Sequence, residues 1–332
     1  MAVKRKKIPT ILQSKELLDK AFKRASKVQK KGTNRLDAAR KTAISKVSAA
    51  GDIIATSLEK YVKAFPSLSR SSEFDMELID VILGIDALKK SLGGLNWASQ
   101  KTLELEKEYK NRISKAAAID DVSRLRREFY GRLSSLVRQI DADLRFIGYA
   151  RDKLKEIPEV DSSIPTAVVA GFPNVGKSQL VERISSAKPK IAPYPFTTQG
   201  IGIGHFEAGR RRYQVIDTPG LLDRKLEDRN KIELQAILAL KHLADVIIFL
   251  IDPTETSGYA LESQLALLES VKMSFSGIPM IEVENKSDIL KTDSPRLKIS
   301  ALTGEGVEEL VRVLVDMLSR SGDANAVDSI VI

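Results

Sequence analysis

No cysteine occurs among the 332 residues, which excludes disulfides, thiolate metal sites and thiol nucleophiles. Histidine is almost as scarce. His205 and His242 stand alone, too few for a histidine-based metal centre, and both are expected at the surface or in packing. Aromatic residues make up 5% and fall mostly at core spacing, so no stacking platform for single-stranded nucleic acid is visible. No apolar run approaches the roughly 20 residues of a membrane span. Lys4, Arg5, Lys6 and Lys7 are not followed by the apolar core of about 7–15 residues that a secretory signal requires. They read as a disordered basic arm. A cytoplasmic protein without a membrane partner is expected, and a monomer.

Charge is plentiful but uneven. The net value of +9 conceals a basic half: residues 1–160 hold 34 Lys and Arg against 21 Asp and Glu, and the remainder holds 19 against 23. A basic half joined to a slightly acidic one suggests that the first half meets a polyanion. The competing explanation is a solvated helical surface that only keeps the protein soluble.

Residues 1–160 read as an all-α bundle. Leu18, Phe22, Ala25 and Val28 keep three-four spacing over 14–30, and a second stripe runs from Leu36 to Phe65 with a possible interruption at Gly51, ended by Pro66. Ser71 or Ser72 is expected to cap a third helix that Gly93-Gly94 closes. A fourth covers about 96–117, and the strongest runs from Asp120 or Asp121 to Leu154. Long helices with short connections predict an antiparallel bundle. Lys23, Arg24, Lys27, Lys30, Lys31, Arg124, Arg127, Arg138 and Arg145 fall where these helices should meet solvent and suit phosphate contacts.

Pro158 and Pro165 frame a linker, after which the period changes. Apolar runs at 166–170, 199–206, 212–216, 245–251, 279–284 and 296–299 alternate with helical stretches. This predicts an α/β domain over 161–322 with a mostly parallel sheet covered on both faces. Residues 323–332 are expected to form a flexible tail.

The stretch around which the chain is organised is Gly171-Phe172-Pro173-Asn174-Val175-Gly176-Lys177-Ser178, placed after a buried run and before a helix. This is the spacing of a phosphate-binding loop. Two glycines let backbone N–H groups turn onto phosphate oxygens beside a helix N-terminus. Lys177 can reach the β- and γ-phosphates, and the Ser178 hydroxyl can ligate Mg²⁺. Pro173, Asn174, Val175 and Gln179 complete the predicted contact set. Asp217-Thr218-Pro219-Gly220 ends the 212–216 run, where a carboxylate can hold Mg²⁺ through water and the Gly220 N–H can meet the γ-phosphate. Pro195-Phe196-Thr197-Thr198 precedes it, with Thr198 favoured over Thr197 as the Mg²⁺-sensing switch residue. Lys177, Thr198 and Gly220 form the predicted catalytic set. Asn285-Lys286-Ser287-Asp288 follows the 279–284 run. Asp288 can accept two N–H groups that guanine offers and adenine does not, Asn285 can tether loops, and the Lys286 stem can cover the ring. Ser300-Ala301-Leu302 can present the Ala301 N–H to guanine O6.

Five such elements in chain order, each at the end of a predicted strand, resemble the motifs of translation-factor-type GTPases. GFPNVGKS, IAPYPFTT, DTPGLLDR and HLADVIIFLIDPTETSGYALESQ resemble the Obg superfamily, and within it the nucleolar GTP-binding protein 1 branch and its archaeal members. The resemblance implies a P-loop GTPase domain behind a helical bundle, binding GTP or GDP with Mg²⁺. It also implies a role in large ribosomal subunit assembly, with ribosomal RNA and ribosomal proteins as partners. The Gly-rich N-terminal domain of Obg proper is missing, and the long C-terminal extension of eukaryotic members as well, which points to an archaeal source.

Leu221 and Leu222 stand where many GTPases place a water-orienting glutamine, so intrinsic hydrolysis is expected to be slow. The resemblance implies that Asn174 can hold a K⁺ beside the phosphates; the alternative is a hydrogen bond that merely holds the loop. Three functions remain open: a GTPase switch docking on pre-ribosomal RNA, a GTP-dependent protein-interaction switch, and a nucleotide-stabilised scaffold without RNA binding.

Overall fold

The computed structural model describes residues 8–67, 71–158, 160–195, 197, 200–223 and 229–328, without the side chains of Glu156, Lys231, Ile232 and 321–328. The chain divides into two compact units, Arg5–Arg70 with Leu83–Leu154, and Ser71–Ile82 with Lys155–Ile332.

The helical unit is built from α1 (Ser14–Ser26), α2 (Arg35–Ala64), α4 (Ile85–Ser114), α5 (Ile119–Gln139) and α6 (Asp141–Lys153); α3 (Glu73–Leu83) goes elsewhere. The stripes define its core. Val122, Leu125, Phe129 and Leu133 bury one face of α5, and Leu17, Leu18, Ala21 and Ala25 one face of α1. Asn34 starts α2 by accepting the Asp37 N–H at 2.8 Å, a cap of the expected kind.

Several expected boundaries move. Helix α1 stops at Ser26 and α2 runs through Gly51 without a break. Gly93-Gly94 does not close a helix but lies inside α4, which absorbs the helix expected at 96–117. A Cβ on Gly94 would stand 2.9 Å from the Asp143 carboxylate of α6, so this glycine serves close approach of two helices rather than termination. The break falls at Gly84, in the left-handed region at φ 74°. The long helix expected to Leu154 is divided at Ile140 into α5 and α6.

In the second unit the strands are β1 (Thr166–Ala170), β2 (Lys190–Ala192), β3 (Ile201–Ala208), β4 (Arg211–Asp217), β5 (Val246–Ile251), β6 (Met280–Glu284) and β7 (Leu297–Lys298). They form one sheet in the order β2-β3-β4-β1-β5-β6-β7, parallel from β4 to β7 and antiparallel at β2 and β3. Strand β2 was not expected, since three residues on an edge leave no periodicity to read. Every residue of β1 and β5 is buried, as strands covered on both faces require. Helices α7 (Lys177–Ile184), α8 (Lys231–Ala239), α9 (Leu261–Ser274) and α10 (Val307–Asp328) complete the domain. The parallel register pairs Val169 with Asp217 and Ala170 with Phe249. The carboxyl ends of β1, β4, β5 and β6 therefore carry their loops to one edge, where α/β sheets bind ligands.

Helix α3 packs within this unit although it lies in sequence among the bundle helices. The Phe74 ring is buried and its centroid is 6.5 Å from that of Tyr194. His242 is exposed and puts Nδ1 3.0 Å from Glu73 Oε2 and Nε2 2.8 Å from Glu77 Oε2, bridging two carboxylates of α3. No helix among the described residues is long and apolar enough to cross a membrane.

Candidate functional site

Strand β1 ends at Ala170, and the loop from Gly171 to Gly176 turns the chain into α7. Its shape dictates its glycines. Gly171 has φ 135°, and a Cβ there would meet Leu250 O at 2.5 Å; Gly176 has φ 102°, and a Cβ there would meet Asn285 Nδ2 at 2.2 Å. Asn174 tolerates φ 63°, as asparagine does better than most side chains. It is exposed, and among the described residues its side chain makes no hydrogen bond, so the loop-holding bond considered for it is not seen. Lys177 is buried, and its Nζ donates to Gly171 O and Phe172 O at 2.7 Å each. Burial pushes this ammonium below its ordinary pKa, against the attraction of Asp217 and Asp223.

Ser178 and Asp217, 39 residues apart, are brought together: Ser178 Oγ donates to Asp217 Oδ2 at 2.5 Å. The other carboxylate oxygen, Oδ1, is buried with no hydrogen-bond partner among the described residues. Burial raises this carboxyl, while the Ser178 hydroxyl, the Lys177 charge and, least, the neighbouring Thr218 N–H pull it back. A hydroxyl beside an unsatisfied buried carboxylate oxygen is a hard-oxygen donor pair that fits Mg²⁺. The strand end is wired to the loop by Thr218 Oγ1 donating to Val169 O at 2.8 Å and by the Gly171 N–H donating to Leu222 O at 3.0 Å. Gly220 is exposed with φ 76°. Leu221 and Leu222 are buried, and neither can orient a water.

Thr198 lies outside the described residues, as do Phe196 and Lys4 to Lys7. Thr197 is engaged in a turn, its hydroxyl donating to Tyr194 O at 2.9 Å and accepting the Gly200 N–H at 3.1 Å. Tyr194 is fully buried, and its hydroxyl donates to Ala236 O of α8 at 2.6 Å.

On the base side, Asn285 bridges two loops. Its Nδ2 donates to Val175 O at 2.8 Å, and its Oδ1 accepts the Ala301 N–H at 2.9 Å. The second bond already engages the Ala301 amide expected to face guanine O6, so a base placed there would share that N–H with Asn285. Asp288 and Leu302 are exposed, Ser300 is buried, and Ser300 Oγ accepts the Thr303 N–H at 3.1 Å. Lys286 adopts φ 65° and its Nζ sits 2.6 Å from Asp252 Oδ2. Gln179 is exposed on the first turn of α7. Three further residues enter the site that the sequence reading did not single out. Arg183 of α7 donates from Nε to Ala301 O at 3.2 Å and also bonds Leu302 O. Arg229 donates to Leu221 O at 2.9 Å and Asp223 Oδ1 at 3.0 Å. Asp252, just past β5, pairs with Lys286. An arginine in the second turn of the helix after a phosphate loop is a weak signal, and Asp-Pro after a strand reads as an ordinary turn.

Two family models match the chain: the NOG1 N-terminal helical domain over residues 6–161, and nucleolar GTP-binding protein 1 (NOG1) over residues 231–288. An uncharacterized protein of Methanocaldococcus jannaschii is 41% identical over 297 residues, 88% of this chain and 83% of that one. Nucleolar GTP-binding protein 1 of Encephalitozoon cuniculi is 37% identical over 74% of this chain. The chain belongs to the nucleolar GTP-binding protein 1 family. That places a helical domain ahead of a GTPase-type α/β domain, as the resemblance implied. The relative from Saccharomyces cerevisiae is 29% identical over 87% of this chain. The chain spans 45–46% of the length of these two eukaryotic family members. A solved nucleolar GTP-binding protein 1 structure from Plasmodium falciparum aligns at 31% identity, covering 52% of this chain and 95% of that one, with a TM-score of 0.45.

Proposed function

We propose that the protein binds GTP and hydrolyses it to GDP and phosphate, as a nucleotide-controlled switch in large ribosomal subunit assembly. The observation that carries this reading is Asn285. One amide ties the phosphate loop to the loop of Ser300-Ala301-Leu302, making one site from two sequence-distant halves, with Asp288 exposed beside it. In this reading the N–H groups of 174–178 cradle the phosphates and Lys177 leaves its two carbonyls for the β- and γ-phosphate oxygens. Ser178, Asp217 and Thr198 would hold Mg²⁺, which when bound neutralises charge on the β- and γ-phosphates. Asp288 accepts the two guanine N–H groups. With Asn285 holding the Ala301 amide, guanine O6 recognition calls for a shared bond there or for the Leu302 N–H. Turnover is slow because Leu221 cannot orient the attacking water; a partner or a K⁺ at Asn174 supplies what it lacks.

The basic bundle is the surface for ribosomal RNA. Lys23, Arg24, Lys27, Lys30, Lys31, Arg127 and Arg138 are exposed, and no ion pair involves them among the described residues. Arg124 and Arg145 are partly neutralised by Asp121 and Asp141. Unpaired cations, four on α1 and α5 and Lys27, Lys30 and Lys31 in the connection after α1, favour phosphate contact over a solvated, self-neutralised face. Two measurements test the proposal. Fluorescent GDP should bind the full chain and fail to bind Lys177→Ala. Filter binding to ribosomal RNA should weaken with salt at a log–log slope of about −0.7 to −0.9 per phosphate contacted. No RNA affinity at moderate salt would leave the protein-interaction switch, and no accelerated turnover on large subunits would leave the scaffold.

A further inference from the structure

The loop after β5, Asp252-Pro253-Thr254-Glu255-Thr256-Ser257-Gly258-Tyr259, has no part in the function described so far, yet it is built more tightly than a connection needs. Asp252 is fully buried. Its Oδ1 accepts the Thr254 N–H at 3.0 Å and the Thr254 hydroxyl at 2.5 Å. Its Oδ2 accepts the Ser257 N–H at 2.8 Å and stands 2.6 Å from Lys286 Nζ. Lys286 Nζ also donates to Thr256 Oγ1 at 2.8 Å. Gln264 of α9, fully buried as well, fixes the backbone. Its Oε1 accepts the Asp252 N–H at 2.7 Å, and its Nε2 donates to Asp252 O and Tyr259 O at 2.9 Å each. At the far end the Tyr259 ring lies 4.3 Å, centroid to centroid, from Phe172 of the phosphate loop.

A carboxylate removed from water is tolerated only when paired and hydrogen-bonded. Burial opposes the charge of Asp252, and the hydrogen bonds from Lys286, Thr254 and Ser257 outweigh it and hold the carboxyl below its usual range. Among the described residues Lys286 is its one cationic partner. A lysine ammonium free to enter water would leave its four-carbon stem without a fixed course; here the ammonium is held on a rigid base.

We propose that Asp252 is a positioning residue for the guanine ring: by fixing Lys286 Nζ it lays the lysine stem along the plane the base must occupy beside Asp288. The inference rests on the reading of residues 285–288 as the base site. The loop then acts as a strut, with one end on the base-covering lysine and the other, through Tyr259 and Phe172, on the phosphate side.

Dissociation of fluorescent GDP from the full chain tests this. Absence of binding by the wild type would remove the nucleotide reading itself and the inference with it. With the wild type binding, Asp252→Asn should speed dissociation about tenfold or more, and Thr256→Val, on the exposed side of the loop, should speed it about two- to fivefold. Lys286→Met keeps the stem without its charge. In that background Asp252→Asn should add less than about twofold, because Asp252 acts only through the ammonium. A general loosening of the loop would instead multiply the two effects, and that result overturns the proposal, as does a wild-type rate in a folded Asp252→Asn variant. Should Asp252→Asn fail to fold, Thr256→Val decides: wild-type dissociation there, or an effect undiminished in the Lys286→Met background, overturns the proposal.

Discussion

Replacing Asp217 with Asn should make the metal-free, nucleotide-free protein more stable while removing the stability that ligands confer. The side chain is buried, Oδ2 is engaged by Ser178, and Oδ1 has no partner among the described residues. An unsatisfied buried acceptor costs about 1–3 kcal/mol, more when charged. Asparagine keeps an oxygen for the Ser178 hydroxyl and puts a neutral amide where a bare carboxylate oxygen stood. The amide is itself unsatisfied, so the expected net gain is about 1 kcal/mol, or a midpoint roughly 2–4 °C higher for a domain of this size. Ligand reverses the order. At about 100 times its dissociation constant, Mg²⁺ with GDP stabilises the wild type by about 2.7 kcal/mol, and the variant, lacking the metal-facing carboxylate, by far less. Thermal and urea unfolding in EDTA and in Mg²⁺ with GDP would show the curves changing places. A variant less stable than wild type in EDTA, or one gaining as much from Mg²⁺ with GDP, would refute the assignment of Oδ1 to a metal.

Asp288→Asn should shift preference from guanine to xanthine nucleotides, read by competition against fluorescent GDP; unaltered selectivity would remove Asp288 from the base site. Single-turnover hydrolysis should rise when K⁺ replaces Na⁺, and equal rates would dismiss a cation at Asn174. Asp245 accepts the Thr166 N–H at 2.8 Å, yet burial raises its carboxyl. The native state therefore binds this proton first as pH falls, and its ionised form subtracts from stability at neutral pH. Asp245→Asn should exceed wild type in urea midpoint at pH 7, with the gap narrowing toward the unfolded pKa of about 3.9; a gap widening on acidification would contradict this. Phe74→Ala should lower the stability of the nucleotide-binding unit by about 3–5 kcal/mol, visible in melting followed by bound fluorescent GDP. An unmoved transition would separate α3 from that unit.

Much of the site could be read from the sequence because its chemistry is carried by short strings at strand ends. Gly171 and Gly176 are dictated by backbone geometry, and Ser178 and Asp217 by the oxygen donors that the proposed Mg²⁺ calls for, so residue identity alone points to them. Asp252 and Arg183 were not readable in the same way. They act by reaching groups 34 and 118 residues away, and nothing local marks such a reach. That Asn285 engages the Ala301 amide was unreadable for a related reason, since which acceptor takes an N–H depends on loops the sequence does not position. Helix α3 shows the limit of periodicity, which identifies a buried face but not what covers it. A signal was present nonetheless. Glu73, Asp75, Glu77 and Asp80 make it acidic, without Lys or Arg from Ser71 to Ile82, inside the basic half of the chain.

The route of α3 has a practical side. A polypeptide starting at residue 155 would contain every strand and every nucleotide-facing motif, but not Phe74, Glu73 or Glu77. The Tyr194 ring, three residues ahead of Thr197, would lose its aromatic neighbour, and His242 both of its carboxylates. Excising the α/β half at the apparent linker thus removes a piece of its own interior. Nucleotide affinities measured on such a fragment would describe a domain with an opened flank beside Thr197, not the intact molecule.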